Sequence, residues 1–173
     1  GLGYEIRGTL PSCETHESLG LIAALVDVPV LGRSRVEVLT GGAEFYEREL
    51  EAIKAAQGSI HLEAYIFHRS GIADRFVQAL AERAGAGVKV RVVVDAIGSM
   101  GTPGRYFDPL RKSGGEIQWY QPVRWYTLKR FNNRTHRELL VVDGKIAFVG
   151  GAGIAAWWTE GSNGHPAWRD TMV

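Results

Sequence analysis

Residues 132–153 read NNRTHRELLVVDGKIAFVGGAG, and the fold is decided by this stretch. A polar segment, Asn132, Asn133, Arg134 and Thr135, delivers His136 to an apolar run, Leu139-Leu140-Val141-Val142. Asp143-Gly144 interrupts that run, Ile146-Ala147-Phe148-Val149 resumes it, and Gly150-Gly151 stops it. Two β-type runs on either side of Asp-Gly predict a hairpin, because that pair tolerates the positive φ angles of a tight primed turn. Side chains alternate across a strand, so His136 at the hairpin's entrance shares a face with Glu138.

Working outward, the upstream chain alternates strands and helices. A strand over 36–39 ends at Gly41-Gly42, and a helix over 43–57 sets Tyr46, Leu50 and Ile53 on one stripe before Gly58 stops it. The strand over 59–67 has an apolar face of Ile60, Leu62, Ala64 and Ile66, with His61, Glu63 and Tyr65 opposite. A helix over 72–84, a β-branched strand over 88–94, a helix over 106–113 and a strand over 116–120 follow. Beyond the hairpin come a short helix over 154–158 and a strand just begun at 170–173. The alternation predicts an α/β domain with a parallel sheet and right-handed crossovers, whose ligands gather beyond the carboxyl ends of the strands, near residues 95–99. Residues 1–34 read as a helical and linker segment, with a helix over 16–26 and breaks at Pro29, Gly32 and Ser34, ahead of a domain over 35–173.

Composition sets the outer limits. A chain of 173 residues, 45% apolar, accommodates one compact domain. A net charge of +1 gives no global argument for nucleic acid. Cys13 is the single cysteine, which excludes an intrachain disulfide and a zinc site built on several thiolates. The apolar run over 21–31 is interrupted by Asp27 and Pro29 and falls short of the roughly 20 residues a bilayer demands. Opening on Gly1 and closing on a nascent strand, the chain reads as a piece of something longer. Arg111, Lys112, Arg124, Lys129, Arg130, Arg134 and Arg137 face the single acid Glu116, interleaved with Trp119, Tyr120, Trp125, Tyr126 and Phe131. Such a tract suits an anionic lipid surface or a nucleic-acid backbone, or serves as a solvated loop with aromatics turned inward.

The hairpin resembles the signature of the phospholipase D superfamily: His-x-Lys, an Asp five residues beyond the Lys, then a Gly-rich segment ending in Asn. His136 and Asp143 match; Glu138 stands at the lysine position and Gly153 at the asparagine position. The closest resemblance within that superfamily is to the bacterial cardiolipin synthases, through VEVLTGG at Val36, SIHLEAYIF at Ser59, VKVRVVVDAIGS at Val88, FNNRTHRELLVVDG at Phe131 and WRDT at Trp168. The resemblance implies a phospholipase D-like half with a mixed, mostly parallel sheet flanked by helices on both faces. It also implies the first, N-terminal, catalytic half of an enzyme with two such units.

What the resemblance implies about the site follows residue by residue. His136 is the nucleophile that takes up a phosphatidyl group, Asp170 of WRDT holds its ring, and Asp143 supports the motif, although Asp before Gly suits a turn on its own. Glu138, Gly150, Gly151, Gly153, Asn133 and Glu63 border the phosphate. A carboxylate at 138 repels what the family's lysine attracts, so this half is expected to be weak without a companion. A salt bridge explains Glu63 equally well. His-x-Glu without Pro-Cys-x-x-Cys gives no zinc site, and no cofactor or metal is implied. The implied partners are a phosphatidylglycerol-like lipid, the cytoplasmic side of a bacterial inner membrane and a second phospholipase D-like half; nucleic acid is not expected. The alternatives are a dimeric nuclease-like phosphodiesterase and a non-catalytic phosphate-binding half.

Overall fold

The computed structural model describes residues 12, 15–29, 34–122, 134–161 and 164–173. The chain divides into two compact units, Gly1–Val36 and Glu37–Val173. The first carries α1 (His16–Val26), whose start is capped by Thr15 accepting from the Ser18 amide and whose end turns left-handed at Asp27.

The second unit is built on a seven-stranded sheet. In chain order its elements are β1 (Leu39–Thr40), α2 (Gly42–Ala55), β2 (Ser59–Ala64), α3 (Gly71–Gly85) and β3 (Lys89–Asp95). They continue with α4 (Asp108–Lys112), β4 (Glu116–Tyr120), β5 (Glu138–Val142), β6 (Ile146–Gly150) and β7 (Thr171–Met172). The sheet order is β1-β7-β6-β5-β2-β3-β4. An α/β unit with a mixed sheet is therefore what forms, and the hairpin lies at its centre. Asp143 at φ 53° and Gly144 at φ 63° make the predicted primed turn.

Two details differ from expectation. The parallel ladders are confined to β2-β3-β4, while β5 pairs antiparallel with β2, β6 with β5, β7 with β6 and β1 with β7. A chain that leaves β4 at the carboxyl end of the sheet and re-enters at the same end must run backwards, and the two-residue turn then forces β6 to reverse again. The described helices α2, α3 and α4 also lie against one face instead of both. The crossovers β1-α2-β2, β2-α3-β3 and β3-α4-β4 all step the same way across the sheet, so right-handedness puts their helices on one side.

The core follows from alternation. Ile60, Leu62, Ala64, Val90, Val92, Val94, Leu140, Val142 and Phe148 are buried under Phe45, Leu50 and Ile53 of α2 and Phe76 and Leu80 of α3. On the other face His61 and Arg91 are exposed and Glu63 half-buried. The helix expected over 106–113 begins as a 3-10 turn, Gly104–Phe107, and becomes α-helical at Asp108, with Pro109 in the first turn where its missing N–H costs nothing. The expected helix over 154–158 shortens to a 3-10 turn, Ala156–Trp158, because the Ile154 backbone is engaged elsewhere. Its N–H donates to Ile66 O (2.8 Å) and its carbonyl accepts from His68 N (2.9 Å). Of the strand expected over 36–39, only Leu39 pairs.

Candidate active site at the strand ends

Glu138 pairs with Gly150, and Gly150 with Met172. His136 and Asp170, each two residues ahead of its strand position, therefore leave the sheet at the same end. That is also the carboxyl end of β2 and β3. His136 is exposed, and its ring lies against Tyr65 with centroids 4.6 Å apart and planes tilted by 39°. The Asp170 carboxylate accepts from the Thr171 amide (2.8 Å) and lies over Gly151, where a Cβ would come within 3.0 Å of Oδ2. No hydrogen bond joins His136 to Asp170 among the described residues.

The residues flanking His136 are fastened to the strand ends. Thr135 donates its hydroxyl to Glu63 Oε1 and its amide to Asp95 Oδ2 (3.2 Å). Arg137 reaches Glu63 Oε2 at 3.4 Å, so Glu63 is both part of the cleft edge and half of an ion pair. Asp95, fully buried, accepts from the amides of Ile97 (2.8 Å) and Gly98 (3.1 Å) and faces Arg134 at 3.5 Å. A buried carboxylate with that many donors fixes the residues beside it. The Asp95–Arg134 pair bridges β3 to the segment before β5, a connection that residues 39 apart do not announce.

Glu138 is buried on the helix-covered face of β5, in line with Leu140 and Val142. Its Oε1 accepts from the amides of Tyr65 (3.1 Å) and Ile66 (3.2 Å). Burial nevertheless pushes its carboxyl up to about 8, with Asp170 and Glu63 adding repulsion. Glu49 of α2 is also pushed up to about 8, by burial first and the charge of Glu138 second. Tyr46, one turn before Glu49 on α2, donates its hydroxyl to the Gly153 carbonyl, and that hydroxyl lies 3.3 Å from the Ala155 carbonyl. Burial raises this phenol well above its usual range. Tyr46 and Glu49 were not among the expected site residues. The signal was present, since an acid at 49 falls on the same helical stripe as Tyr46 and Ile53.

The glycines line close approaches. A Cβ at Gly150 would stand 2.7 Å from Thr171 O, and one at Gly153 would stand 2.6 Å from Ile66 Cβ and 2.7 Å from Ile66 O. Neither position admits a side chain without a shift of its neighbours. Asp143 lies at the far end of β5 from His136, where its carboxylate accepts from the amides of Gln57 (3.0 Å), Gly58 (2.7 Å) and Ser59 (2.8 Å). Those bonds hold it below the usual carboxylate range. Its place is structural. Asn133, and the basic and aromatic residues Arg124, Trp125, Tyr126, Lys129, Arg130 and Phe131, lie outside the described residues.

This architecture, a mixed sheet with a histidine raised at the strand ends beside an acid and a glycine-rich bend, is that of the phospholipase D fold class. The phospholipase D family member Nuc from Salmonella typhimurium shares it, with a TM-score of 0.56 over 80% of each chain at 18% identity, a likeness of fold alone. The family model described as the cardiolipin synthase, phospholipase D-like domain matches residues 50–163, and the chain belongs to that family. A cardiolipin synthase of Listeria monocytogenes is 30% identical over 165 residues, 94% of this chain and 34% of that protein. One from Geobacillus thermodenitrificans is 36% identical over 146 residues, 84% of this chain and 29% of that protein. The chain thus spans about a third of the length of the curated relatives it matches.

Proposed function

We propose that the chain is the N-terminal half of a phosphatidyltransferase or phosphodiesterase of the cardiolipin synthase type, acting through a phosphohistidine on His136. The observation that carries this reading is an exposed imidazole, backed by the Tyr65 ring, at the end of the sheet where β2, β3, β5 and Asp170 converge. One ring nitrogen attacks phosphorus; the P–N bond forms as the P–O bond to the donor's alcohol breaks. A histidine of the companion half protonates the departing alkoxide. It then takes the proton of a second glycerolipid hydroxyl, whose oxygen attacks phosphorus and releases His136. Asp170 orients His136 once the companion half has closed the cleft.

The substrate class is a phosphatidylglycerol-like lipid, met at the cytoplasmic face of a bacterial inner membrane. Among the described residues no helix is long and apolar enough to cross a membrane. The test uses the protein that contains this chain, given phosphatidylglycerol vesicles with a labelled phosphate. Trapping should yield an acid-labile phosphoenzyme that His136→Ala abolishes together with phosphatidyl transfer. Transfer at an unchanged rate in that variant ends the reading. DNA cleavage insensitive to chelators supports the dimeric nuclease-like alternative. A second reading, a non-catalytic phosphate-binding half, draws on the carboxyl of Glu138 at the lysine position, and predicts retention on anionic vesicles with no turnover.

A further inference from the structure

The ring of Tyr65 lies against the exposed imidazole of His136, with centroids 4.6 Å apart and planes tilted by 39°. Two rings meeting edge to edge cannot bring their centroids that close, so part of one lies over the face of the other. The Thr135 bonds to Glu63 and Asp95 fix the backbone ahead of His136, whereas Tyr65 meets the ring itself. Tyr65 is held there from several sides. It follows β2 directly, and its amide donates to Glu138 Oε1 (3.1 Å), which also takes the Ile66 amide (3.2 Å). Its carbonyl accepts from the Ser99 hydroxyl (3.2 Å), and the Gly98 backbone passes that carbonyl so closely that no Cβ would fit. Gly98 is tied in turn to the buried Asp95, through its amide on Oδ1 (3.1 Å). The aromatic wall beside the imidazole is thus fixed by the same strand ends that fix His136.

Attack on a phosphodiester changes the charge of that imidazole. The lone pair of one ring nitrogen forms the P–N bond, while the P–O electrons leave with the donor's alcohol oxygen, which takes a proton from the companion half's histidine. With phosphorus on one nitrogen and a proton on the other, the ring is cationic. When the acceptor hydroxyl oxygen attacks phosphorus, the P–N electrons return to nitrogen and the ring is neutral again. A cation within about 6 Å of a tyrosine centroid is attracted by the negative face of that ring, an attraction a neutral imidazole feels far less. The contact therefore strengthens on the way to the transition state, which is the condition for it to accelerate the step.

We infer that Tyr65 is a catalytic residue of this half: its aromatic face stabilises His136 as it becomes a phosphoimidazolium, and Glu138, Ser99 and Gly98 hold that face in place. This inference rests on the phosphohistidine reading above, and its test separates the two.

The test uses the protein that contains this chain, with Tyr65→Phe, Tyr65→Leu and a series of progressively fluorinated phenylalanines installed at the same position. Fluorine keeps the shape of the ring and weakens its negative face, so the fold is retained while the electrostatic attraction declines. The first arm needs no substrate. With labelled histidine, the ring protons of His136 should be displaced upfield by the neighbouring aromatic ring in wild type and Tyr65→Phe, and return in Tyr65→Leu; undisplaced signals in wild type overturn the inference. The second arm follows phosphoenzyme formation from labelled phosphatidylglycerol vesicles at saturation. Tyr65→Phe should hold close to the wild-type rate. The fluorinated series should fall stepwise with half-saturation unchanged, to a total loss of roughly threefold to thirtyfold, the range between an exposed and a desolvated cation–π contact. A flat series overturns the role, and so does a Tyr65→Phe rate as low as that of Tyr65→Leu, since the hydroxyl would then be the active group. In either case an inactive His136→Ala leaves the phosphohistidine reading standing. Transfer unchanged in His136→Ala ends that reading and the role of Tyr65 together.

Discussion

Asp143 Oδ1 and the Gly58 amide are joined across the sheet by a 2.7 Å hydrogen bond, at the end opposite His136. The same carboxylate takes the amides of Gln57 and Ser59, so one side chain in the β5–β6 turn closes the junction between α2 and β2. In the family motif this aspartate therefore sets the register of the histidine strand from below. Asp143→Ala should lower the thermal midpoint and leave three amides to water. The carboxyl is held below its unfolded value, so its contribution is present above the ordinary carboxylate range and is lost as the pH falls through the folded value. Wild type and variant should converge in acid; a gap that persists there would show that the loss is not electrostatic.

Gly153→Asn restores the residue common in the family, yet it should destabilise this chain. A Cβ at 153 meets Ile66 Cβ at 2.6 Å and the Ile66 carbonyl oxygen at 2.7 Å, and that backbone is fixed by its bond from Ile154 N. Overpacking of this kind costs about 1–3 kcal/mol. Urea unfolding should show the loss as a lower midpoint with an unchanged slope, and an unmoved midpoint would mean that the 65–68 segment yields freely.

Tyr46→Phe tests the link between α2 and the glycine-rich bend. The lost hydroxyl leaves the buried Gly153 carbonyl without its donor, at about 1–3 kcal/mol. Equal stability of the variant in chemical denaturation would indicate that water replaces the phenol.

Stability should also report the buried acids. In the unfolded chain Glu49 and Glu138 return to the ordinary value of 4.5, while in the fold both stand near 8. Between those values the folded protein holds protons that the unfolded chain has released, so stability falls as pH rises across that window and levels off above it. The slope contributed is up to about 1.4 kcal/mol per pH unit for each proton held. Denaturation at a series of pH values should give a shallower slope for Glu138→Gln. Identical slopes would mean that Glu138 titrates normally.

What the chain discloses in its sequence depends on how local the cause is. The Asp143-Gly144 turn, the two faces of β2 and the span of β4 are legible because φ preference and alternation act within a few residues. The strand order is not, since the placement of β5 beside β2 is a matter of the connection and not of any strand's composition. Similarly, His136, Asp170 and the glycines are readable as a motif, whereas the burial of Glu138 is not. Whether a carboxylate two residues beyond a histidine faces ligand or core depends on which sheet face α2 covers. Here that face is the one carrying Leu140 and Val142, which turns Glu138 toward the core under α2.

Glu138→Lys brings these relationships into one measurement. The substitution removes the acceptor of the Tyr65 and Ile66 amides, which bears a cost of about 1–3 kcal/mol for donors left unpaired. It also places an ammonium near Asp170, where it offers a cation to phosphate oxygens. A single well-placed electrostatic contact is worth about a hundredfold to a thousandfold in rate. In the protein that contains this chain, phosphodiester turnover should rise toward that range while the folding free energy stays level or falls. Opposite movement of rate and stability distinguishes a restored phosphate contact from simple removal of a buried acid, which would raise stability and leave the rate alone. If turnover and stability both stay unchanged, Glu138 has no part in either, and the lysine position carries no function in this half.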